Sequence, residues 1–269
     1  MQDMQGMQGM ILIDDKRYIH TKDYLKSKGH VFRDISASFI KNPCNNLDFI
    51  IFPFKGDIDR EFYNTSFFLS LKQGVIIFSG IRNSYLTQKC KSLGILYKVM
   101  MEEPQIATKN AIPTSEGVIS YLITSRNQTI SGSTMLIIGY GICGSDLASR
   151  LKALGANTHT LVRNKEKEQA AIQKGIKPIY EKDILNHNYD AIINTVEGTV
   201  LKDDIIPKLK NALLIDIASS PYGFNMALAK TINKNSALLP AIPGKYAIKT
   251  SGEILGQYIQ QVLRGKQNG

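Results

Sequence analysis

Met135-Leu-Ile-Ile138 runs directly into Gly139-Tyr-Gly-Ile-Cys-Gly144. Four apolar residues without alternation predict a strand buried on both faces, as in a parallel sheet. The glycines at 139, 141 and 144 then fall at the G-x-G-x-x-G spacing, and each relieves a different steric constraint. Gly139 permits the tight turn out of the strand. Gly141, without a Cβ, lets a phosphate approach the backbone. Gly144 lets the next helix pack close to the strand. The spacing predicts that helix over Ser145 to Leu154, with its N-terminal amides and the positive end of its dipole facing the turn. Gly155 ends it, and Ala156 to Val162 returns as a second strand. A glycine triplet alone is a weak signal. Framed by strand, helix, terminating glycine and second strand, it predicts a dinucleotide cradle built from Gly139, Tyr140, Gly141, Ile142, Cys143 and Gly144.

A chain of 269 residues leaves room for a second domain. Its 33 Lys and Arg against 23 Asp and Glu give a formal charge of +10. These basic residues are scattered, without an arginine cluster or basic-aromatic interleaving, so nucleic acid is not expected as a partner. The excess charge reads as a solvated surface that also attracts small anions toward a cleft. Cys44, Cys90 and Cys143 contain no C-x-x-C pair, so neither a metal site nor a disulfide framework is expected, and reduced thiols suit a cytoplasmic protein. No apolar run reaches membrane-spanning length. Met1 to Met10 repeats Met-Gln-Gly and lacks the basic and apolar regions of a signal peptide; it is expected to be disordered.

Upstream of the glycine turn, apolar runs predict strands at Met10 to Ile13, His30 to Phe32, Leu47 to Phe54, Gly74 to Ser79 and Ile95 to Val99. Helical stretches fall at Lys22 to Ser27 and Ser84 to Leu93, and a loop at Asp57 to Thr65. Alternating strands and helices imply a small open α/β domain with a parallel sheet, flavodoxin-like in plan. Ligands of such sheets sit beyond the carboxyl ends of the strands, which puts Ser79, Gly80, Arg82 and Asn83 at the expected mouth. In Asn110-Ala-Ile-Pro-Thr-Ser-Glu-Gly117, Thr114 reads as a helix N-cap and Glu116 as a first-turn acid. The apolar stretch Gly117 to Thr124 then forms a connecting helix. The first domain is drawn as 1–116 and the second, a Rossmann domain, as 117–249.

An NAD-preferring site offers Asp or Glu to the ribose hydroxyls about twenty residues past the glycines. This chain has Arg163-Asn-Lys165 there, with its first acid at Glu166. Arg163, Asn164 and Lys165 suit a 2′-phosphate, which favours NADP and leaves NAD as the alternative. Strands at Gly175 to Tyr180, Asp190 to Thr195, Asn211 to Ala218 and Ala237 to Leu239 complete the doubly wound sheet. Its nicotinamide end is expected near Thr195, Val196, Ala218 and Ser219, with Asp216 orienting loop amides. Thr250 to Leu263 reads as an amphipathic helix that crosses back and completes the first domain with 250–269. His20, His30, His159 and His187 stand outside any motif; none is assigned a role in acid-base chemistry, and His159 is expected to be structural.

The chain resembles one family, the A-type subunit of dipicolinate synthase in spore-forming bacteria, from about Leu47 to its C-terminus. The resemblance rests on Phe78-Ser-Gly-Ile-Arg-Asn-Ser-Tyr-Leu86, on Asn110 to Gly117, and on the glycine loop with its Leu154-Gly-Ala156 continuation. It rests further on Asp216-Ile-Ala-Ser-Ser220 and on Leu239-Pro-Ala-Ile-Pro-Gly244 with Lys249-Thr250. The glycine loop is common to many dehydrogenases; the segments Asn110 to Gly117 and Pro243 to Thr250 are far more specific. Three features depart from the family: Ile13 to Arg17 lacks the usual glycine, the loop before Phe62 is short, and Ile248 replaces a proline.

The resemblance implies a nicotinamide-dependent oxidoreductase in the mother cell of a sporulating bacterium, acting with the B-type subunit of dipicolinate synthase. Its substrate would be a hydroxy-tetrahydrodipicolinate or dihydrodipicolinate, oxidised to dipicolinate. A dicarboxylate needs cations and hydroxyls. Arg82 is expected to bind one carboxylate bidentately, helped by Ser79, Asn83 and Thr114, with Lys245 and Tyr246 approaching from the Pro243-Gly244 turn. Glu116 is the acid-base candidate, since a cleft between domains would raise its pKa, and Lys245 is the second catalytic candidate. A homo-oligomer is expected. Two other readings stay open: a dinucleotide-binding scaffold protein that has lost catalysis, suggested by the divergent N-terminal part, and a 2-hydroxyacid dehydrogenase, opposed by the missing His-plus-Arg pair.

Overall fold

The computed structural model describes residues 6–33, 46–55, 58–60 and 63–267. Cys44, Asp57 and Phe62, and with them part of the expected Asp57 to Thr65 loop, lie outside these. The chain separates into two compact units, Met1–Lys109 with Ile248–Gly269, and Asn110–Ala247.

The first unit contains β1 (Gln8–Ile11), α1 (Arg17–Ser27), β2 (Val31–Phe32), β3 (Phe49–Ile51), α2 (Thr65–Leu69), β4 (Ile76–Ser79), α3 (Ser84–Leu93) and β5 (Leu96–Val99). Among the described residues its strands form one parallel sheet in the order β2-β1-β3-β4-β5, the flavodoxin-like order. Both faces are covered. Phe49, Ile51, Ile76 and Phe78 point into one apolar cluster, whereas Ile50, Phe52 and Ile77 point into the other with Phe68, Leu86 and Cys90. That explains why β3 and β4 read as unbroken apolar runs.

The expectation of a disordered start fails from Gly6 onward. Met7 and Met10 are buried and β1 opens at Gln8. The glycines that made the segment look like low-complexity tail are sites of close packing. A Cβ on Gly9 would lie 2.2 Å from the Phe49 ring, and one on Gly6 would lie 2.0 Å from the Gly29 carbonyl oxygen.

The second unit follows α4 (Pro104–Arg126), which begins in the first. It contains β6 (Thr134–Ile138), α5 (Ile142–Ala153), β7 (Asn157–Leu161), α6 (Lys165–Gln173), β8 (Lys177–Ile179), β9 (Ala191–Asn194), β10 (Leu213–Asp216), α7 (Met226–Ile232), β11 (Ala237–Leu238) and α8 (Pro243–Tyr246). Its parallel sheet runs β11-β10-β9-β6-β7-β8. The order reverses on either side of β6, so the glycine loop leaves the sheet at the switch point where doubly wound folds take ligands. Met135 and Ile137 face one cluster, Leu136 and Ile138 the other.

Two expectations about the helix start at Thr114 and Glu116 need correction. Thr114 is not an N-cap, because α4 has already run for ten residues before it and continues through Pro113. The Thr114 hydroxyl donates instead to the Asn110 carbonyl, at 2.7 Å. An internal proline costs a helix about 3 kcal/mol, which burial of Ile106, Ala111, Val118 and Leu122 along α4 offsets. Glu116, for the same reason, lies in the middle of α4 and not in a first turn.

The final helix, α9 (Ile248–Gln267), belongs to the first unit and packs along α1. Gly252 and Gly256 make the close crossing possible: a Cβ on Gly252 would lie 2.3 Å from the Arg17 carbonyl oxygen, and one on Gly256 would lie 2.7 Å from the Tyr24 ring. Thr21 donates its hydroxyl to the Gly252 carbonyl at 2.9 Å. His30 accepts from the Met7 amide through Nδ1 and donates from Nε2 to Gln260 Oε1 at 2.7 Å.

His159, in the middle of β7, is buried. Desolvation first, then Lys177 and His187, push its pKa down to about 4. A base with a depressed folded-state pKa binds more protons when unfolded, so stability is full above about pH 6.5 and falls as pH drops toward 4, by up to about 3 kcal/mol. Urea unfolding between pH 7 and 4.5 should show this loss, and His159→Phe should flatten the slope; an unchanged slope in the variant would assign the loss to other groups.

Candidate dinucleotide-binding site

The turn after β6 is shaped by two contacts that admit no side chain. Gly139 has φ +96°, and a Cβ there would lie 2.3 Å from Val196 Cγ1. A Cβ on Gly144 would lie 2.2 Å from the Gly139 carbonyl oxygen. Gly141 differs, since a Cβ there would meet nothing within 4 Å. It is the N-cap of α5 with ordinary φ −83°. Its lack of a side chain therefore serves neither the turn nor the packing. It keeps open the space above the helix end.

The first backbone N–H groups of a helix have no partners within it. Elsewhere in this chain asparagine fills that need: Asn83, Asn164 and Asn225 each accept from amides of the first turns of α3, α6 and α7. At α5 the cap is a glycine with no side-chain hydrogen bond, so the amides of Ile142, Cys143 and Gly144 face the open space with the positive end of the helix dipole. A diphosphate fits this cradle. Beside it is a cavity of about 190 Å³ lined by Gly139, Gly141, Val162, Arg163, Lys167 and Val196, among others.

Arg163 lines that cavity, as does Asn164, but the second cation is Lys167 rather than Lys165. Asn164 caps α6, its side-chain oxygen accepting from the Lys167 amide at 2.9 Å. That cap was legible: Asn164 stands before Glu166 and Glu168, a first turn rich in acids.

Thr195 donates its hydroxyl to the Ile138 carbonyl at 2.9 Å and so closes the rim of the turn. Asp216 is buried and accepts from the Ala218 amide at 3.0 Å, the Gly223 amide at 2.7 Å and Asn194 Nδ2 at 2.9 Å. Asn194 in turn bonds both the amide and the carbonyl of Val196. One carboxylate thus fixes the loops after β9 and β10, which carry Val196, Ala218 and the exposed Ser219. Tyr140 packs its ring into the core, so it offers the cradle only its backbone. Burial, with Asp146 behind it, raises the Cys143 thiol pKa, which keeps it protonated and poorly nucleophilic.

The residues expected to hold a substrate divide between the units. In the second unit, Gly117 lets α8 sit on α4: a Cβ on Gly117 would lie 2.2 Å from Ile242 Cγ2 and 3.1 Å from the Tyr246 ring. The two most specific sequence segments therefore meet, and bring Thr114 and Glu116 to the same region as Lys245 and Tyr246. Glu116 is exposed and pairs with Arg150 at 3.3 Å; Lys245 and Tyr246 are exposed.

In the first unit, Ser79 is a correction. It is fully buried, and its hydroxyl donates to the Ile81 carbonyl at 2.7 Å and lies 2.6 Å from the Tyr97 hydroxyl. Asn83 caps α3, accepting from the Leu86 amide at 2.9 Å. Both shape the loop instead of facing a ligand. Arg82 is exposed and forms a two-point pair with Glu102, Nε to Oε1 at 2.8 Å and Nη2 to Oε2. Each partner holds the other charged, raising the Arg82 pKa and lowering that of Glu102. Tyr97 and Glu102 were missed from the sequence because each acts on a loop far from it along the chain.

Residues 114–241 match the family model of the D-isomer specific 2-hydroxyacid dehydrogenase, NAD binding domain. The chain is 29% identical over 235 residues to the A-type subunit of dipicolinate synthase from Bacillus subtilis (strain 168), covering 82% of this chain and 79% of that protein. The crystal structure of the dipicolinate synthase A chain from Bacillus subtilis superimposes with a TM-score of 0.86 at 25% identity, covering 98% of both chains. That of its counterpart from Bacillus halodurans gives 0.84 at 24% identity, covering 96% of this chain and 98% of that one. The likeness spans both units.

The two glycines make opposite predictions. Gly144→Val drives a side chain into backbone and should cost about 3 kcal/mol or more in denaturant unfolding. Gly141→Val meets open space and should cost only about 1 kcal/mol as a poorer cap, yet abolish dinucleotide binding measured by calorimetry. Intact binding in Gly141→Val would refute the cradle.

Proposed function

We propose, from a likeness to the A-type subunit of dipicolinate synthase that runs the length of the chain, that this protein is a nicotinamide-dependent oxidoreductase of dipicolinate formation. It oxidises a dihydrodipicolinate, or a hydroxy-tetrahydrodipicolinate that also loses its hydroxyl as one molecule of water, to the pyridine dicarboxylate by removal of a hydride and a proton. The observation that carries the reading is the α5 cradle, whose central glycine leaves an open space at an uncapped helix end.

When bound, the nicotinamide supplies the hydride acceptor. The chain binds and orients the cofactor through the amides of Ile142 to Gly144, with Arg163 and Lys167 beside the ribose and Thr195, Val196, Ala218 and Ser219 on the loops at the nicotinamide end. The substrate is a ring with two carboxylates. Arg82 binds one of them by exchanging its exposed Glu102 partner for a ligand carboxylate of the same geometry. Within the second unit Thr114, Lys245 and Tyr246 are donors for a carboxylate, and within the first Ser79 and Asn83 hold the Arg82 loop in shape. Glu116 takes the proton released as the hydride leaves, its charge steadied by Arg150 until then. Formation of an aromatic ring drives the reaction, so the protein mainly orients its two ligands.

In this reading the cofactor is NADP, because the residues lining the ribose side are Arg163 and Lys167, with no carboxylate lining it. The chain acts with the B-type subunit of dipicolinate synthase, as a homo-oligomer, in the cytoplasm of the mother cell. Among the described residues no helix is long and apolar enough to cross a membrane.

The test is reduction of NADP with enzymatically generated hydroxy-tetrahydrodipicolinate, with and without the B-type partner, following the pyridine product in the ultraviolet. Product formation supports the reading, and no turnover in either arm overturns it. Arg163→Asp should lower the NADP to NAD ratio of kcat/KM at least about tenfold, the effect of one charge-assisted contact. An unchanged ratio would show that Arg163 does not read the 2′-phosphate.

A further inference from the structure

The amino-terminal edge of the six-stranded sheet carries a second polar cavity, of about 280 Å³. It lies at the end of β6 opposite the glycine loop. Arg126, the last residue of α4, lines it together with Asp190 ahead of β9 and Lys210 and Asn211 ahead of β10.

Arg126 is unusual for a cation. Its side chain is only 5% exposed. Nη2 donates to Gln128 Oε1 and Ser133 Oγ, both at 2.9 Å, and lies 3.5 Å from Asp190 Oδ1. Nη1, equally buried, has no hydrogen-bond partner. Buried donors are nearly always satisfied, and a charged one left open is costly. Asp190 does not meet the need, because its Oδ2 accepts from the Thr134 amide at 2.8 Å and its Oδ1 addresses the other nitrogen. Lys210 is exposed on the rim and has no ion-pair partner among the described residues. Arg126, Lys210 and Asp190 together leave one net positive charge at the cavity.

The rim is built with care. Asn233 Nδ2 donates to the Asn211 carbonyl at 2.9 Å, and Asn235 Nδ2 to the Ser125 carbonyl at 2.7 Å. Asn127, Lys210 and Asn211, three of the four non-glycine residues with positive φ among those described, all flank this cavity. Strained backbone of this kind persists where the surroundings hold it, and it concentrates at binding sites.

We propose that this cavity binds a compact oxyanion, the phosphoryl or carboxylate group of a small metabolite, held between the Arg126 guanidinium, whose Nη1 still lacks a partner, and Lys210 Nζ. A guanidinium fork matches both kinds of group. The site is separate from the dinucleotide cradle and does not depend on the function proposed above. A ligand there ties the end of α4 to the loops entering β9 and β10.

Calorimetric titration of the full chain with inorganic phosphate, and separately with malonate, tests the proposal. One of the two should saturate with a Kd near or below about 1 mM, and the tighter one tells phosphoryl from carboxylate. Lys210→Gln should weaken it about five- to tenfold, Arg126→Gln should abolish it, and Gly141→Val should leave it unchanged. Because Arg126 also braces the fold, Lys210→Gln carries the test if Arg126→Gln does not fold. Absence of saturation by both anions overturns the proposal. So does binding that survives Lys210→Gln but is lost in Gly141→Val, which would put the anion on the glycine loop.

Discussion

The separation between Gly144 and the Gly139 carbonyl governs the second unit. A single added carbon at Gly144 would sit 2.2 Å from that oxygen, so α5 can lie against β6 only while residue 144 has no side chain. This contact sets the direction of α5, and with it where the unpaired amides and the dipole of its first turn point. Gly139, bent at φ +96° beneath Val196, supplies the turn that delivers the chain to that position. The loops opposite are set by Asp216, whose carboxylate accepts three hydrogen bonds from residues 194, 218 and 223. A rigid frame therefore surrounds an open space at Gly141. Rigidity there has chemical value, since donors that are already aimed need no reorganisation when a ligand arrives.

The charges of the chain are deployed in two ways. Where a cation is buried its surroundings are dense: Arg17 is held bidentately by Asp15 with Nε at 2.8 Å and stacks on Phe54, and Arg126 is wedged between Ser133 and Gln128. Where cations reach the surface, at Arg82 and Lys167, their partners are the surface carboxylates of Glu102 and Glu166. Exposed pairs of this kind contribute little to stability. They exchange readily for a ligand carboxylate or phosphate, which suits residues beside a candidate anion site.

Sequence pattern was enough for most of the architecture because this is a parallel-sheet protein. Strands buried on both faces show as unbroken apolar runs, and β4, β6, β9 and β10 were legible for that reason, as was the glycine turn. The helix α3 was legible as the stretch Ser84 to Leu93, whereas the Asn83 cap that starts it and the Gly94 that ends it in left-handed backbone were not part of that reading. The failures share a cause, which is that tertiary burial overrode a local signal. Pro113 marks a helix boundary by local rules, but the apolar face of α4 carries the helix through it. The Met-Gln-Gly start looks like tail, but Gly9 is needed so that Phe49 can pack over β1. Side-chain partners were the least legible. Nothing near Ser79 in sequence announces that Tyr97 occupies its hydroxyl, or that Glu102 holds Arg82. The sequence places a residue at a strand end without saying what already bonds it.

Whether the open space at Gly141 receives a diphosphate decides the function of the second unit. A crystal structure of the chain grown with NADP measures this directly. The expected result is pyrophosphate oxygens within hydrogen-bond distance of the Ile142, Cys143 and Gly144 amides, and a 2′-phosphate beside Arg163 and Lys167. Clear density for the cofactor elsewhere, or a cradle left empty at saturating cofactor, would contradict it.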